Sequence, residues 1–148
     1  MMKAYQALEK HALASIAGTD LCFSDFALLE TLLHKGPQAV NVLGAKVNLT
    51  SGSATAAIDR LSRLALVRRG EDATDRRARI VHLTAKGRRL IQTAFQRHAA
   101  DMEAAMAGLS AEESDALITL LKKLGKGAAN HPIHLKKGKT YVSKSVAD

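Results

Sequence analysis

Residues 47–87 contain the pattern that most restricts how this chain of 148 residues can fold. A helical stretch is predicted from Gly52 to about Leu64, and its apolar residues recur at the spacing of one helix face: Ala54, Ile58, Leu61 and Ala65. A shorter helical segment, VLGAKV, precedes it and is separated from it by a break at LTS. Two helices joined by a few polar residues are typical of a helix-turn-helix.

Two short strands are predicted directly after this helix pair. Residues 66–69 and 79–83 have strand propensity and the alternating pattern of side chains that is typical of strands. The loop GEDATDRRA between them is too polar to be buried. Thr84 then caps the start of another helix. A hairpin in this place is a wing, so the order of elements predicts a winged helix-turn-helix, a mainly α fold with a small β-wing.

The positive charge of the chain is concentrated in the same region. Residues 45–90 contain eleven Lys and Arg against four Asp and Glu, and the whole protein carries a net charge of +8. Clustered basic charge indicates a polyanionic partner. None of the five aromatic residues lies within the basic run, which argues against stacking on single-stranded bases. We therefore expect the partner to be double-stranded DNA.

The outward face of the 52–64 helix and the tip of the hairpin are the expected DNA-contact surfaces. Small side chains at the helix start allow close approach to base edges, and arginines further along can reach phosphates. An arginine held at a hairpin tip fits a narrow minor groove, and an acid two residues away can orient it. The residues in these positions are Ser53, Thr55, Ala56, Arg60 and Arg63 on the helix and Asp75, Arg76 and Arg77 on the hairpin. The alternative is an ordinary solvated helix and turn.

Long helices are predicted at both ends of the chain, outside this compact region. One covers about residues 4–16, and another extends from Thr84 to about Met106 with an apolar stripe along its length. Ser110 and Glu113 form a capping box for a last helix. Its apolar face carries Leu117, Leu120, Leu121 and Leu124. Apolar stripes of this length are too long to be buried against the compact winged region alone. We therefore expect the terminal helices to pack against those of a second chain in a homodimer.

The second helix of the chain is predicted to be a core helix between an N-cap at Ser24 and a stop at Gly36 and Pro37. Cys22 lies at its start, where a helix N-terminus can favour a reactive thiolate. The favoured interpretation of Cys22 is a small side chain that fills space beside Phe23. The alternative is a redox sensor.

Several classes of protein are excluded by what the sequence lacks. The single cysteine cannot form an intrachain disulfide, and no basic start precedes a long apolar run, so we expect a cytoplasmic protein without a membrane span. There is no glycine-rich phosphate loop, nucleophile elbow or H-E-x-x-H, so no enzyme activity and no cofactor are expected. His131 and His134 are closely spaced, but two ligands are too few for a closed metal site.

Over about residues 4–125 the chain resembles the MarR family of bacterial transcriptional regulators. The stretches that carry the resemblance are SDFALLETLLHKGP, LTSGSATAAIDRLSRLALVRR, DRRARIVHLTAKGRRLI and GLSAEESDALITLLKKLG. The D-x-R of the hairpin followed by L-T-x-x-G is the specific part of the match. The basic segment 129–148 lies outside the family pattern, and we treat it as a tail after a domain at 1–128.

The resemblance implies a homodimer that binds a pseudo-palindromic operator. Its two winged heads, about residues 37–87, would lie in adjacent major grooves, and a body formed by about 1–20 and 88–125 would hold them together. Among the site residues, the resemblance places Ser51, Ser53, Thr55, Ala56 and Arg60 on the recognition helix and Asp75 and Arg77 in the wing's D-x-R.

Members of the family mostly repress transcription, and the resemblance implies release from DNA by a small ligand or an oxidant. The effector class that the resemblance favours is an aromatic or quinone-like compound. We expect it to bind where head and body meet, near His11, Cys22, Phe23 and Phe26. The alternative function is a non-sequence-specific architectural protein that uses the winged fold only as a basic surface, which random duplex would compete away.

Overall fold

The computed structural model describes residues 2–71 and 79–131, which form six α-helices and three short strands. In chain order these are α1 (Met2–Ile16), α2 (Phe23–Lys35), β1 (Gln38–Ala39), α3 (Val40–Lys46), α4 (Ser51–Arg63), β2 (Val67–Glu71), β3 (Arg79–Leu83), α5 (Ala85–Ala105) and α6 (Ala111–Asn130). One turn of 3₁₀-helix, Ala17–Thr19, follows α1. The chain divides into two compact units, residues 1–107 and 108–148. The predicted mainly α fold with a small β-wing is confirmed.

The sheet is antiparallel, with the strands in the order β1, β3, β2. The hairpin pairs Val67 with Leu83, as the predicted wing requires. The first strand was not predicted, because its two residues are too few to show an alternation. It forms by pairing Gln38 with Val81, which brings the chain between α2 and α3 onto the free edge of β3.

The core of residues 1–107 is built around α2. Four of its apolar side chains are buried, namely Phe26, Leu28, Leu29 and Leu32. From α4, the residues that face this core are Ala54, Ala57, Ile58 and Leu61. The predicted inner face of α4 is therefore confirmed except at Ala65, which is exposed and lies beyond the end of the helix with a φ of 56°.

The start of α2 differs from the prediction. Its N-cap is Cys22, with extended backbone at φ −75° and ψ 163°, and Ser24 lies inside the helix. The chain reaches this point from a left-handed turn at Asp20 and buries Leu21, so the helix begins one residue after Cys22. As a result Asp25 falls in the first turn, where a carboxylate is stabilised by the helix dipole.

The end of α4 is joined to the start of α5 by hydrogen bonds to three successive carbonyl groups. The Thr84 hydroxyl donates to the Ala65 carbonyl (2.7 Å), the Thr84 N–H to Leu66 (3.0 Å), and Lys86 Nζ to Leu64 (3.0 Å). A Cβ on Gly87 would lie 1.9 Å from the Leu66 oxygen, so only glycine fits. The L-T-x-x-G motif thus fixes the start of α5 to the segment that follows α4.

The second unit is described through α6. The predicted capping box is confirmed, because the Ser110 hydroxyl accepts from the Glu113 N–H (3.2 Å) while Glu113 Oε2 accepts from the Ser110 N–H (2.8 Å). Its large apolar side chains are exposed by 41% to 62%: Leu117, Ile118, Leu120, Leu121 and Leu124. The apolar face predicted for this helix is therefore present and uncovered.

Neither a membrane-spanning helix nor a metal-binding cluster is found in the part of the chain that the structure describes. No single helix there is long and apolar enough to cross a bilayer; α1 and α2 together have the length and composition, but they meet at a bend of 83°. Within residues 2–71 and 79–131, no three His, Cys, Asp or Glu side chains are grouped so that they could hold a metal ion.

Candidate DNA interface

The N-terminal half of α4 presents small side chains to solvent. Thr50 caps the helix, since its hydroxyl oxygen accepts from the Ser53 N–H at 3.2 Å. The exposed residues are Ser51, Gly52, Ser53, Thr55 and Ala56, and a Cβ on Gly52 would meet nothing within 4 Å. These small, exposed side chains are the ones that the sequence analysis expects to contact base edges.

The angle between α3 and α4 is set by a close contact at the turn. A Cβ on Gly44 would lie 2.6 Å from the Ala54 Cβ, so a larger residue at position 44 would push the two helices apart. The turn itself passes through Asn48 in a left-handed conformation with a φ of 57°. Asparagine is among the few non-glycine residues that adopt it readily. The helix-turn-helix is therefore held by local packing.

Arg60 of α4 is engaged with the protein and not only with solvent. Its Nε donates to Asp25 Oδ2 at 2.8 Å and its Nη2 to Asp25 Oδ1 at 2.6 Å. The side chain of Asp25 is only 4% exposed, and that of Arg60 is 42% exposed. Through these hydrogen bonds Asp25 raises the pKa of Arg60 above its usual value. The sequence assigned Arg60 to phosphate contact; the structure gives it a carboxylate partner 35 residues away.

A second ion pair joins α4 to the hairpin. Asp59 Oδ1 lies 2.6 Å from Arg69 Nη2 of β2, and both side chains are well exposed. Arg63 and Arg68 are also exposed, and among the described residues neither has an acidic partner within salt-bridge distance. Arg63 and Arg68 are therefore two exposed cations of this surface that have no acidic partner among the described residues.

The tip of the hairpin contains the other residues that the sequence assigned to DNA. Asp75, Arg76 and Arg77 lie outside the described residues, and so do the contacts that the sequence predicts between Asp75 and Arg77. The strands on either side, Val67–Glu71 and Arg79–Leu83, are paired in full register. The hairpin that would hold the tip is thus in place beside α4.

Of the four residues expected near an effector, only His11 lines the groove between α1 and α5. This groove has a volume of about 410 Å³, and Ser15, Arg97 and Asp101 are among its other lining residues. Arg97 and Asp101 form a loose pair, with Nε and Oδ2 3.9 Å apart. The lining combines polar side chains with the alanines Ala14, Ala104 and Ala105.

The other three expected effector residues are not among those that line this groove. Phe26 is only 1% exposed, and its ring centroid is 4.9 Å from that of His98. Phe23 is half-exposed, and the Cys22 sulfur lies 3.5 Å from Arg60 Nη2. The structure therefore does not gather His11, Cys22, Phe23 and Phe26 around one cavity.

Two partly buried polar contacts between distant elements were not found from the sequence. One is Asp25 with Arg60. The other is Ser15 with His98: the Ser15 hydroxyl donates to the Ala12 carbonyl, so the His98 Nδ1–H, 2.7 Å away, donates to the Ser15 oxygen. Each joins elements that are distant in the sequence, and the one available signal was a polar residue within an otherwise apolar helical pattern.

Comparison with known proteins identifies the family. The family model described as MarR family matches residues 19–78. The HTH-type transcriptional regulator MhqR of Bacillus subtilis (strain 168) is 35% identical over 128 residues, which cover 86% of this chain and 88% of that protein. This chain is a member of the MarR family. The uncharacterized HTH-type transcriptional regulator YkoM of the same strain is also 35% identical to this MarR-family chain, covering 83% of it and 80% of YkoM.

Solved structures agree with this assignment. The transcriptional repressor CouR, bound to a 23-mer DNA duplex, matches this MarR-family chain with 25% identity and a TM-score of 0.74. The match covers 84% of this chain and 88% of the CouR chain. The resemblance and the winged helix-turn-helix fold inferred from the sequence are confirmed. The protein is a sequence-specific, DNA-binding transcriptional regulator.

Proposed function

We propose that this MarR-family regulator is a cytoplasmic, homodimeric repressor that binds a pseudo-palindromic operator and releases it when a small aromatic ligand binds. The observation that carries the proposal is the exposed start of α4, where small and hydroxyl-bearing side chains are open to solvent near Arg63 and Arg68, for which no other described residue is an acidic partner. Such a helix can approach base edges closely while nearby cations contact phosphates.

Ser53 is the residue best placed to donate to a base. Thr50 donates its hydroxyl hydrogen to the Ser53 oxygen at 2.9 Å, which leaves the hydrogen of Ser53 for an acceptor outside the protein. Guanine, adenine and thymine all present acceptors in the major groove. The exposed methyl group of Ala56, one turn further on, can contact a thymine methyl. These two residues therefore give α4 a direct means of distinguishing base pairs.

Phosphate contacts fall to the basic residues around this helix. Arg63 and Arg68 are exposed cations on the described surface, and the sequence adds Arg76 and Arg77 at the hairpin tip. Each cation that neutralises a phosphate releases counterions and strengthens binding at low salt. Binding should therefore weaken steeply as salt rises.

Dimerisation is supported by the uncovered apolar residues of both terminal helices. Met2, Tyr5 and Leu13 of α1 are exposed by 48% to 72%. On α6, Leu120 and Leu124 are more than half exposed. Exposed apolar residues in such number on a helix mark an interaction site. A second copy of the chain would cover it, and a two-fold axis would match a pseudo-palindromic site.

The α1–α5 groove is the place we propose for the effector. His11 and Arg97 offer hydrogen-bond donors, and Ala14, Ala104 and Ala105 give an apolar wall. A phenol or a quinone combines a flat apolar ring with oxygen acceptors that these donors can bind. The ligand can change DNA affinity only if it binds the DNA-competent and the released arrangement unequally.

Selection from a randomised duplex library with the full chain tests the DNA-reading part of the proposal. We expect an enriched pseudo-palindrome, two chains bound per duplex, and reduced transcription in vitro when that site overlaps a promoter. Light scattering of the free protein at micromolar concentration should give twice the chain mass of 15.8 kDa. Failure to enrich any sequence would favour the architectural alternative.

The effector part is tested by adding phenols and quinones to the complex with the selected duplex. Release should occur with the wild-type chain and with Cys22→Ser, and it should be lost in His11→Ala. Loss of release in Cys22→Ser alone would instead make the thiol the sensor. If no phenol, quinone or peroxide releases any of these variants, the ligand-responsive part of the proposal is wrong.

A further inference from the structure

Asp25 is a buried acid that neither the DNA surface nor the effector groove uses directly. It lies in the first turn of α2, and both of its oxygens accept from Arg60 of α4, at 2.6 and 2.8 Å. The next residue, Phe26, is fully buried, so the backbone that carries the carboxylate is anchored in the core. Two parallel N–H···O bonds to one planar group fix direction as well as distance. Asp25 therefore holds one guanidinium of the recognition helix in a defined orientation.

We infer that Asp25 is a positioning residue for operator recognition: it ties Arg60 to α2, so that Arg60 orients α4 and does not add net charge at the DNA. The inference rests on the proposed role of α4 as the helix that contacts base edges. Because the negative charge of the Asp25 carboxylate cancels the positive charge of the Arg60 guanidinium, the pair attracts a phosphate only weakly. An arginine in such a pair should release few counterions on binding. Arg60 and Arg63, three residues apart on one helix, thus act differently.

The second ion pair of α4 supplies a matched control. Asp59 and Arg69 also join the helix to a neighbouring element at 2.6 Å, but the Asp59 side chain is 50% exposed, against 4% for Asp25. Water can replace an exposed partner, and salt screens it. Water cannot readily replace a buried one. The orientation of α4 should therefore depend on Asp25 much more than on Asp59.

The experiment compares Asp25→Asn, Asp59→Asn and the double variant Asp25→Asn with Arg60→Gln in the full chain. The probes are the duplex selected with the wild-type protein and a scrambled duplex of the same length. Affinity for each is measured by fluorescence anisotropy over a series of salt concentrations. Circular dichroism melts establish that each variant is folded at the temperature of the titration.

With Asp25→Asn we expect affinity for the selected duplex to fall about tenfold or more, since a misplaced helix loses its base contacts. Affinity for the scrambled duplex should hold or rise. The slope of log affinity against log salt should steepen by about one, because a compensated cation becomes available to a phosphate. Asp59→Asn should change neither affinity by more than about threefold.

The double variant separates positioning from phosphate contact. It removes the positive and the negative charge together, so a compensated Arg60 predicts the same salt slope as the wild type. A slope shallower by about one in the double variant would mean that Arg60 binds a phosphate, and would overturn the inference. An Asp25→Asn variant that matches Asp59→Asn, or that loses affinity for both duplexes equally, would also overturn it. A selection that enriches no duplex would count against the proposed function and not against Asp25 alone.

Discussion

Replacement of Gly87 by alanine should loosen the joint between α4 and α5. A Cβ at this position would lie 1.9 Å from the Leu66 oxygen and 2.8 Å from the Leu66 carbonyl carbon, and both belong to the backbone. A backbone contact cannot be relieved by a change of rotamer, so the start of α5 must shift. The shift would lengthen the bonds from Thr84 to Ala65 and Leu66.

The expected cost follows from these contacts. Overpacking of a fitted site costs about 1–3 kcal/mol, and each weakened hydrogen bond costs up to about 1 kcal/mol. Alanine in place of glycine within a helix stabilises the folded state by about 0.5–1 kcal/mol, which offsets part of this cost. We therefore expect Gly87→Ala to lower the free energy of unfolding by about 2–4 kcal/mol. Operator affinity should fall too, because α5 would no longer fix the end of α4.

Urea unfolding of the wild type, Gly87→Ala and Gly125→Ala measures this effect. The three proteins are compared at one protomer concentration, since dimerisation makes apparent stability depend on concentration. Gly125 lies in α6, where a Cβ would meet nothing within 4 Å, so its replacement should stabilise by about 0.5–1 kcal/mol. If Gly87→Ala proves as stable as Gly125→Ala, the backbone contact at Leu66 does not constrain this joint.

Three further outcomes are expected. Arg77→Ala at the hairpin tip should weaken operator binding by about 1–3 kcal/mol without changing the melting temperature, and an unchanged gel-shift titration would remove the tip from the DNA surface. Gly44→Ala should lower the free energy of unfolding by about 1–3 kcal/mol, because the new methyl group would lie 2.6 Å from the Ala54 Cβ. A urea titration that gives the same free energy of unfolding as for the wild type would contradict this. Leu121→Arg should shift the mass in light scattering toward the monomer, and a persistent dimer would place the interface elsewhere.

The elements around the DNA surface could be predicted because their signals are local. The inner face of α4 follows from a helical period, and the caps at Thr84 and Ser110 follow from residue types beside apolar runs. The hairpin follows from two alternating segments around a polar loop. Each of these features depends on residues a few positions apart, so one sequence is enough to find them.

The remaining features depend on contacts between distant parts of the chain. The N-cap of α2 is Cys22 because the turn at Asp20 and the burial of Leu21 set where the helix starts, and residue preference alone pointed to Ser24. Likewise, the partner of Arg60 could not be predicted, since Asp25 is 35 residues away. Periodicity places a residue on a face, but it does not say which side chain of another element it meets.

The measurement that tests the central claim most directly is a specificity ratio. The affinity of the full chain for the duplex enriched by selection is compared with its affinity for a scrambled duplex, at one near-physiological salt concentration. A regulator that distinguishes base pairs through α4 and the hairpin should favour the selected duplex by about 10³-fold or more. A ratio near one would contradict that account, since charge alone would then explain the binding.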